Sequence, residues 1–214
     1  MDLFRGSLAH RIFARHLVDG PIAADDFDLV CRQEAGAHLG ETMASLSMKP
    51  SEFRAVAAEI EQLYDRFKLV PTSGFSGAEV EVGSEPAVGV RLRGRVDAVF
   101  ADADGTRIVD WKTGSHLEDA GPQLDFYAMA WSLANGSLPV RMEALSVKTG
   151  EKLVSAPTEE RVAGTEESVA AMIEELRSAM HDRDELRRSA GPHCRWCPLF
   201  QDCHEGTSAL KILE

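Results

Sequence analysis

The sequence predicts an α/β fold, and three observations carry that expectation. Apolar residues recur at helical spacing through the first third of the chain, strand-like alternation takes over in the middle, and a helix then separates two further strand segments. At 214 residues with 44% hydrophobic residues, the chain is long enough to bury a substantial single core.

The elements follow in order. Leu8, Ile12, Phe13 and Leu17 predict a first helix, and Phe27, Val30, Leu39, Met43 and Leu46 predict a second from about Asp25 to Ser47. A third begins after Pro50-Ser51 and aligns Phe53, Val56, Ile60, Leu63, Tyr64 and Phe67 in a stripe best read as core packing. Gly74 to Val82, Val88 to Phe100 and Arg107 to Trp111 read as strands, the last two joined by a tight turn at Asp102-Ala103-Asp104-Gly105. Pro122 to Trp131 reads as a helix closed by Asn135-Gly136. A strand from Val140 to Lys148, a weaker one near Lys152 to Val154 and a helix from about Thr165 to Asp182 complete the core. Ala156 to Gly164 is expected to be a surface connection.

The chemistry concentrates on the central strands. Residues two apart on a strand share a face, so Asp110 and Lys112 in Val109-Asp110-Trp111-Lys112 point the same way. With Asp97 of Gly94-Arg95-Val96-Asp97 on the adjacent strand, two hard oxygen ligands and an ammonium converge on one spot able to hold Mg²⁺ or Mn²⁺. An Asp-x-Lys strand is by itself a common surface pair. Here the flanking Val96, Ala98, Val99, Ile108 and Val109 make the strands half buried, so polar residues among them need a reason. Gln123 and Tyr127 lie four apart and share one face of the following helix.

The ordered set Gly-x-x-Asp, Asp-x-Lys and Gln-x-x-x-Tyr resembles the PD-(D/E)xK nuclease superfamily, and more narrowly its RecB-type exonuclease domains. The resemblance implies a restriction-endonuclease-like core: a mixed central sheet flanked by helices, with N-terminal helices and a C-terminal cysteine staple. It implies one nuclease domain over 1–214, with a helical part at 1–72, a catalytic core at 73–190 and a metal-binding cysteine segment at 191–206. A histidine on a helix before the sheet commonly completes the metal site. His10, in Gly6-Ser7-Leu8-Ala9-His10, is preferred over His38. His10, Asp97, Asp110 and the backbone carbonyl of Trp111 are then the expected metal ligands, with Lys112, Gln123 and Tyr127 assisting catalysis. Glu79 and Glu81 share one strand face and read as a solvated edge; Glu81 is left outside the expected set although the family often has an acid there.

A second motif lies near the C-terminus. Cys194, Cys197 and Cys203 fall as Cys-x₂-Cys-x₅-Cys, a spacing that suggests a metal. It resembles the C-terminal part of the iron–sulfur staple of AddB-type nucleases and CRISPR-adaptation exonucleases. That resemblance implies a structural 4Fe–4S cluster with a fourth thiolate, for which Cys31 is the remaining cysteine, placed unusually after His10. A Zn²⁺ site completed by His193 or His204 is the alternative.

Charge and composition bound the function classes. A net charge of −12 argues against a nonspecific DNA-coating protein but leaves room for a nuclease with a local basic groove. No long apolar run predicts a membrane span, and no basic-then-apolar leader is visible, so a cytoplasmic protein is expected. No segment of a size to recognise a specific sequence is spare, and no Walker motif occurs, so ATP-driven unwinding would need a helicase partner. The expected activity is metal-dependent exonuclease action on single-stranded DNA ends. The alternative is a catalytically weak DNA-binding or assembly module beside a helicase or an integrase.

Overall fold

A computed structural model describes residues 1–182 and 189–213. Two compact units are distinguished, Met1–Glu167 and Ser168–Glu214.

The first unit is built on a five-stranded mixed sheet of order β1-β2-β3-β4-β5: β1 (Phe75–Ala87), β2 (Val90–Asp102), β3 (Gly105–Lys112), β4 (Arg141–Ser146) and β5 (Lys152–Ser155). Neighbours are antiparallel except β3 and β4. That parallel pair requires a crossover, supplied by helix α5 (Ala120–Asn135). This is the restriction-endonuclease-like α/β architecture expected from the sequence.

Four helices precede the sheet: α1 (Asp2–Asp19), α2 (Phe27–His38), α3 (Gly40–Ser45) and α4 (Pro50–Phe67). Pro50 opens α4, and Glu52 reaches back to accept the Lys49 backbone N–H at 2.7 Å. Phe13 of α1 stacks on Phe67 of α4 at 4.2 Å, and Phe67 meets the Trp111 ring edge-on at 5.1 Å. These aromatics, with Leu8, Ile12, Ile60, Ala98 and Val109, form one apolar core on one face of the sheet. Val99, Ile108 and Ala144 alternate with core members along their strands and are also buried. Helix α5, which packs on β1, β2 and β4, covers that second face with Leu124, Ala128 and Met129.

Three expectations are corrected. The helix expected over Asp25–Ser47 is a 3₁₀ turn followed by α2 and α3, broken at Leu39, whose φ of −126° leaves the helical region. Gly36 and Gly40 weaken helical propensity there, while Leu39 packs on the core. The surface connection expected over Ala156–Gly164 is mostly helix, because α6 (Glu159–Asp182) begins inside it. Thr158 accepts the Arg161 backbone N–H at 3.2 Å, and Glu159 and Glu160 occupy the first turn, where acids suit the helix dipole. Finally, β1 and β2 run on as a hairpin to Ala87 and Val90, so Gly83 to Ala87 is strand rather than connection.

The second unit contains two short 3₁₀ turns, Pro192–Trp196 and Phe200–Asp202, and α7 (His204–Leu213). Among the described residues, no helix is long and apolar enough to cross a membrane.

Candidate active site

The site lies where β2 and β3 stop being fully covered. Ala98 faces Val109 across the β2–β3 ladder, so the next step sets Asp97 beside Asp110. Asp97 is nearly buried and both its oxygens are engaged. Oδ2 accepts the backbone N–H of Trp111 at 2.7 Å, and Oδ1 lies 2.9 Å from His10 Nδ1. Helix α1 delivers that histidine: its buried Leu8 and Ile12 anchor the helix, and the half-buried His10 reaches Asp97 of β2.

Lys112 follows the two-residue alternation on β3, with its Nζ 2.7 Å from Asp110 Oδ2. The same ammonium donates to Gln123 Oε1 at 2.5 Å, and Gln123 Nε2 donates to the Tyr127 hydroxyl at 2.9 Å. The amide orientation is dictated by its neighbours: an ammonium has only donors, so Gln123 must offer it oxygen and present nitrogen to the tyrosine. The i,i+4 spacing on α5 makes the relay possible. Gly94 lets the helix come this close, since a Cβ there would meet Tyr127 at 3.1 Å, Val82 at 3.2 Å and Phe126 at 3.3 Å.

Glu79, expected at a solvated edge, belongs here. Ala78 faces Ala98 and Val80 faces Val96, which puts Glu79 across from Asp97. Its backbone is left-handed, with φ of 53°. A non-glycine residue held there stores strain and turns its side chain out of simple alternation. His10, Glu79 and Asp97 present ligand atoms within 4.8 Å of one another, the one such group of three or more metal-type donors among the described residues. Alternation alone cannot reveal this, because a positive φ at a glutamate leaves no trace in composition.

Electrostatics sharpen the picture. Burial by itself lowers the His10 pKa, but its bond to Asp97 and the charges of Asp97, Asp110 and Glu79 outweigh that and raise it. Asp110 is raised by burial and then by Asp97, which Lys112 and His10 do not fully offset. Tyr127 is raised by burial against a lowering by its Gln123 bond, and the charges of Asp110 and Asp97 add to the rise. Three carboxylates thus crowd one spot, with Lys112 and Arg95 as cationic partners. Carboxylates with one imidazole form a donor set suited to a hard divalent cation such as Mn²⁺ or Mg²⁺, so the residues fit the metal expected of them. An open cleft of about 660 Å³ contains His10, Asp97, Asp110, Lys112, Gln123 and Tyr127. Arg93, Arg95 and His116 also line it and had no signature in the sequence.

His38 is exposed on α2 and pairs with Glu34 at 3.6 Å. Glu81 is also exposed. Cys31 is fully buried in the first unit's apolar core; burial, then the charges of Asp28, Glu61 and Glu34, push its thiol up to about 12, the reverse of what a thiolate ligand needs. In the second unit, a Cβ on Gly206 would lie 3.5 Å from both Cys194 Sγ and Cys203 Sγ, and the Gly191 and Gly206 N–H groups donate to those sulfurs at 3.4 Å. Cys197 is exposed.

Comparison with known proteins agrees with this geometry. The PD-(D/E)XK nuclease superfamily matches residues 2–204. A crystal structure of a candidate exonuclease from Eubacterium rectale superposes with a TM-score of 0.54 at 12% identity, covering 92% of this chain and 74% of that one. The structure of SSO0001 aligns at 15% identity over 94% of this chain and 95% of its own, with a TM-score of 0.42 too low to carry an argument. No curated protein sequence matches the chain.

Proposed function

This chain belongs to the PD-(D/E)XK nuclease superfamily, and from that premise we propose that it is a Mg²⁺- or Mn²⁺-dependent deoxyribonuclease, a RecB-type exonuclease acting at single-stranded DNA ends. One observation carries the reading: His10, Asp97, Asp110, Lys112 and the Gln123–Tyr127 pair line one open cleft, with Glu79 beside His10 and Asp97. The description of the Eubacterium rectale protein as an exonuclease agrees with it.

His10, Glu79, Asp97 and Asp110, with the Trp111 carbonyl, would hold the cation. Bound there, a divalent ion supplies positive charge against the phosphate and lowers the pKa of water. The remaining work falls to side chains. Lys112, steadied by Asp110 and Gln123, turns its third N–H toward the cleft to orient the attacking water and offset developing charge. Tyr127 accepts from Gln123, which leaves its own O–H to donate to a phosphate oxygen, and its raised pKa keeps that proton in place. Nothing in this set reads base edges, so little sequence specificity follows.

We further propose that residues 1–214 act as one nuclease domain and that Cys194, Cys197 and Cys203 ligate a structural centre, 4Fe–4S or zinc. The spacing and the N–H bonds to two of the sulfurs support this, while the apolar setting of Cys31 favours another fourth ligand. Iron, sulfide and zinc content of anaerobically purified wild-type and Cys31→Ser protein separates these cases.

The activity is tested with Asp110→Ala and Lys112→Ala on single-stranded and duplex DNA. Both should lose Mn²⁺- or Mg²⁺-dependent cleavage while keeping native circular dichroism. Cleavage that persists in EDTA, or in folded Lys112→Ala, would sink the mechanism. DNA binding without cleavage in the wild type would favour the assembly module.

A further inference from the structure

The β1–β2 hairpin extends past the last β2–β3 pair and carries three arginines at alternate positions, Arg91, Arg93 and Arg95, which share one face of β2. Two are spoken for. Arg91 pairs with Glu85 at 3.1 Å, and Arg95 pairs with Glu79 at 2.8 Å while facing Glu81 across the ladder. Arg93 differs. Its partner across the ladder is Gly83, which has no side chain, and among the described residues no ion pair involves it.

Gly83 is sterically required: a Cβ there would come within 2.4 Å of the Leu92 carbonyl oxygen. The close approach of the two strands thus removes any acid opposite Arg93 and leaves the surface beside it open. Arg93, Gly94 and Arg95 line both the active-site cleft and a second groove of about 590 Å³ that runs along the hairpin. These three residues border both spaces. Arg93 is exposed and lines the active-site cleft, so its guanidinium is available there to an anionic ligand.

We propose that Arg93 is a phosphate-binding residue for the DNA strand flanking the scissile bond, and that the hairpin groove is the track along which that strand lies. This rests on the nuclease reading above and adds a binding subsite to it. Asp97 is four residues further along β2, roughly 13 Å at strand spacing. At that distance Arg93 meets a phosphate of the flanking strand and not the scissile one. A guanidinium suits the task because its planar fork engages two phosphate oxygens together.

Binding of a labelled oligothymidylate, followed by anisotropy in Ca²⁺ across a salt series, tests the assignment. Arg93→Ala should weaken binding several-fold at low salt and make the log–log salt slope shallower by about 0.7, the loss of one phosphate contact on a single strand. Arg93→Lys should restore most of the slope, and Arg54→Ala, an exposed charge on α4, should leave it at the wild-type value. Should Arg93→Ala bind with unchanged affinity and slope while the wild type cleaves DNA, this inference alone is overturned. A wild type that neither binds nor cleaves DNA would remove the nuclease reading and this subsite together.

Discussion

Asp97 accepts the backbone N–H of Trp111 through Oδ2 at 2.7 Å, so a side chain of β2 closes a hydrogen bond that belongs to the main chain of β3. The same carboxylate meets His10 through its other oxygen. One residue therefore braces the strands and anchors the helix histidine at the place where a cation would sit.

Asp97→Ala and Asp97→Asn should both lose cleavage, but they should differ in stability. Alanine leaves the buried Trp111 N–H without an acceptor, which costs about 1–3 kcal/mol, whereas asparagine can still accept through its amide oxygen. Urea unfolding of the two variants measures the gap. Equal midpoints would mean that the N–H finds water or another acceptor.

Gly94→Ala should lower activity by disturbing the Lys112–Gln123–Tyr127 relay. The added methyl meets Tyr127 at 3.1 Å and two more side chains within 3.3 Å, an overpacking worth about 1–3 kcal/mol. Gly6→Ala is the comparison: its Cβ has only Thr113 Oγ1 nearby, at 3.7 Å, and helix propensity favours the change. Rate and melting temperature should both fall for Gly94→Ala and hold for Gly6→Ala.

His16 should make stability pH-dependent. The Tyr64 hydroxyl accepts the Ile22 N–H at 2.7 Å and lies 2.9 Å from His16 Nδ1, to which it can give its own proton when the imidazole is neutral. Burial, then Lys68, lower the His16 pKa. The unfolded chain thus binds a proton that the folded chain refuses, so stability is full above about pH 6.5 and declines as the pH falls toward the depressed folded value. His16→Gln should be less stable at pH 7.5, and its deficit should shrink at pH 5 in matched urea titrations.

Cys31 should resist thiol reagents in the native protein and react on unfolding, since it is fully buried and its thiol is pushed up to about 12. A raised folded pKa means that its contribution to stability is complete below the ordinary thiol range and is lost as the pH rises above it. Exposed Cys197 should react first in metal-free protein, by timed labelling and mass spectrometry.

Periodicity and turn chemistry determined much of this molecule. Val96 to Trp111 and Pro122 to Trp131 read directly as a hairpin and a helix, and local spacing alone puts Lys112 beside Asp110 and Gln123 beside Tyr127. The Leu39 break and the Thr158 start escaped because adjacent segments with similar apolar spacing conceal a helix end decided by core packing or one hydroxyl cap. Spacing could not put His10 beside Asp97, 87 residues away in sequence; the family resemblance implied the pair, and the contact itself depends on how α1 docks against α4 and the sheet. Glu79 and Arg93 were decided the same way. One is redirected by a backbone conformation that no glutamate advertises, and the other is left unpaired because the residue across the ladder is a glycine. Spacing along a chain determines which side chains share a face; which faces meet is settled by the packing of elements far apart in it.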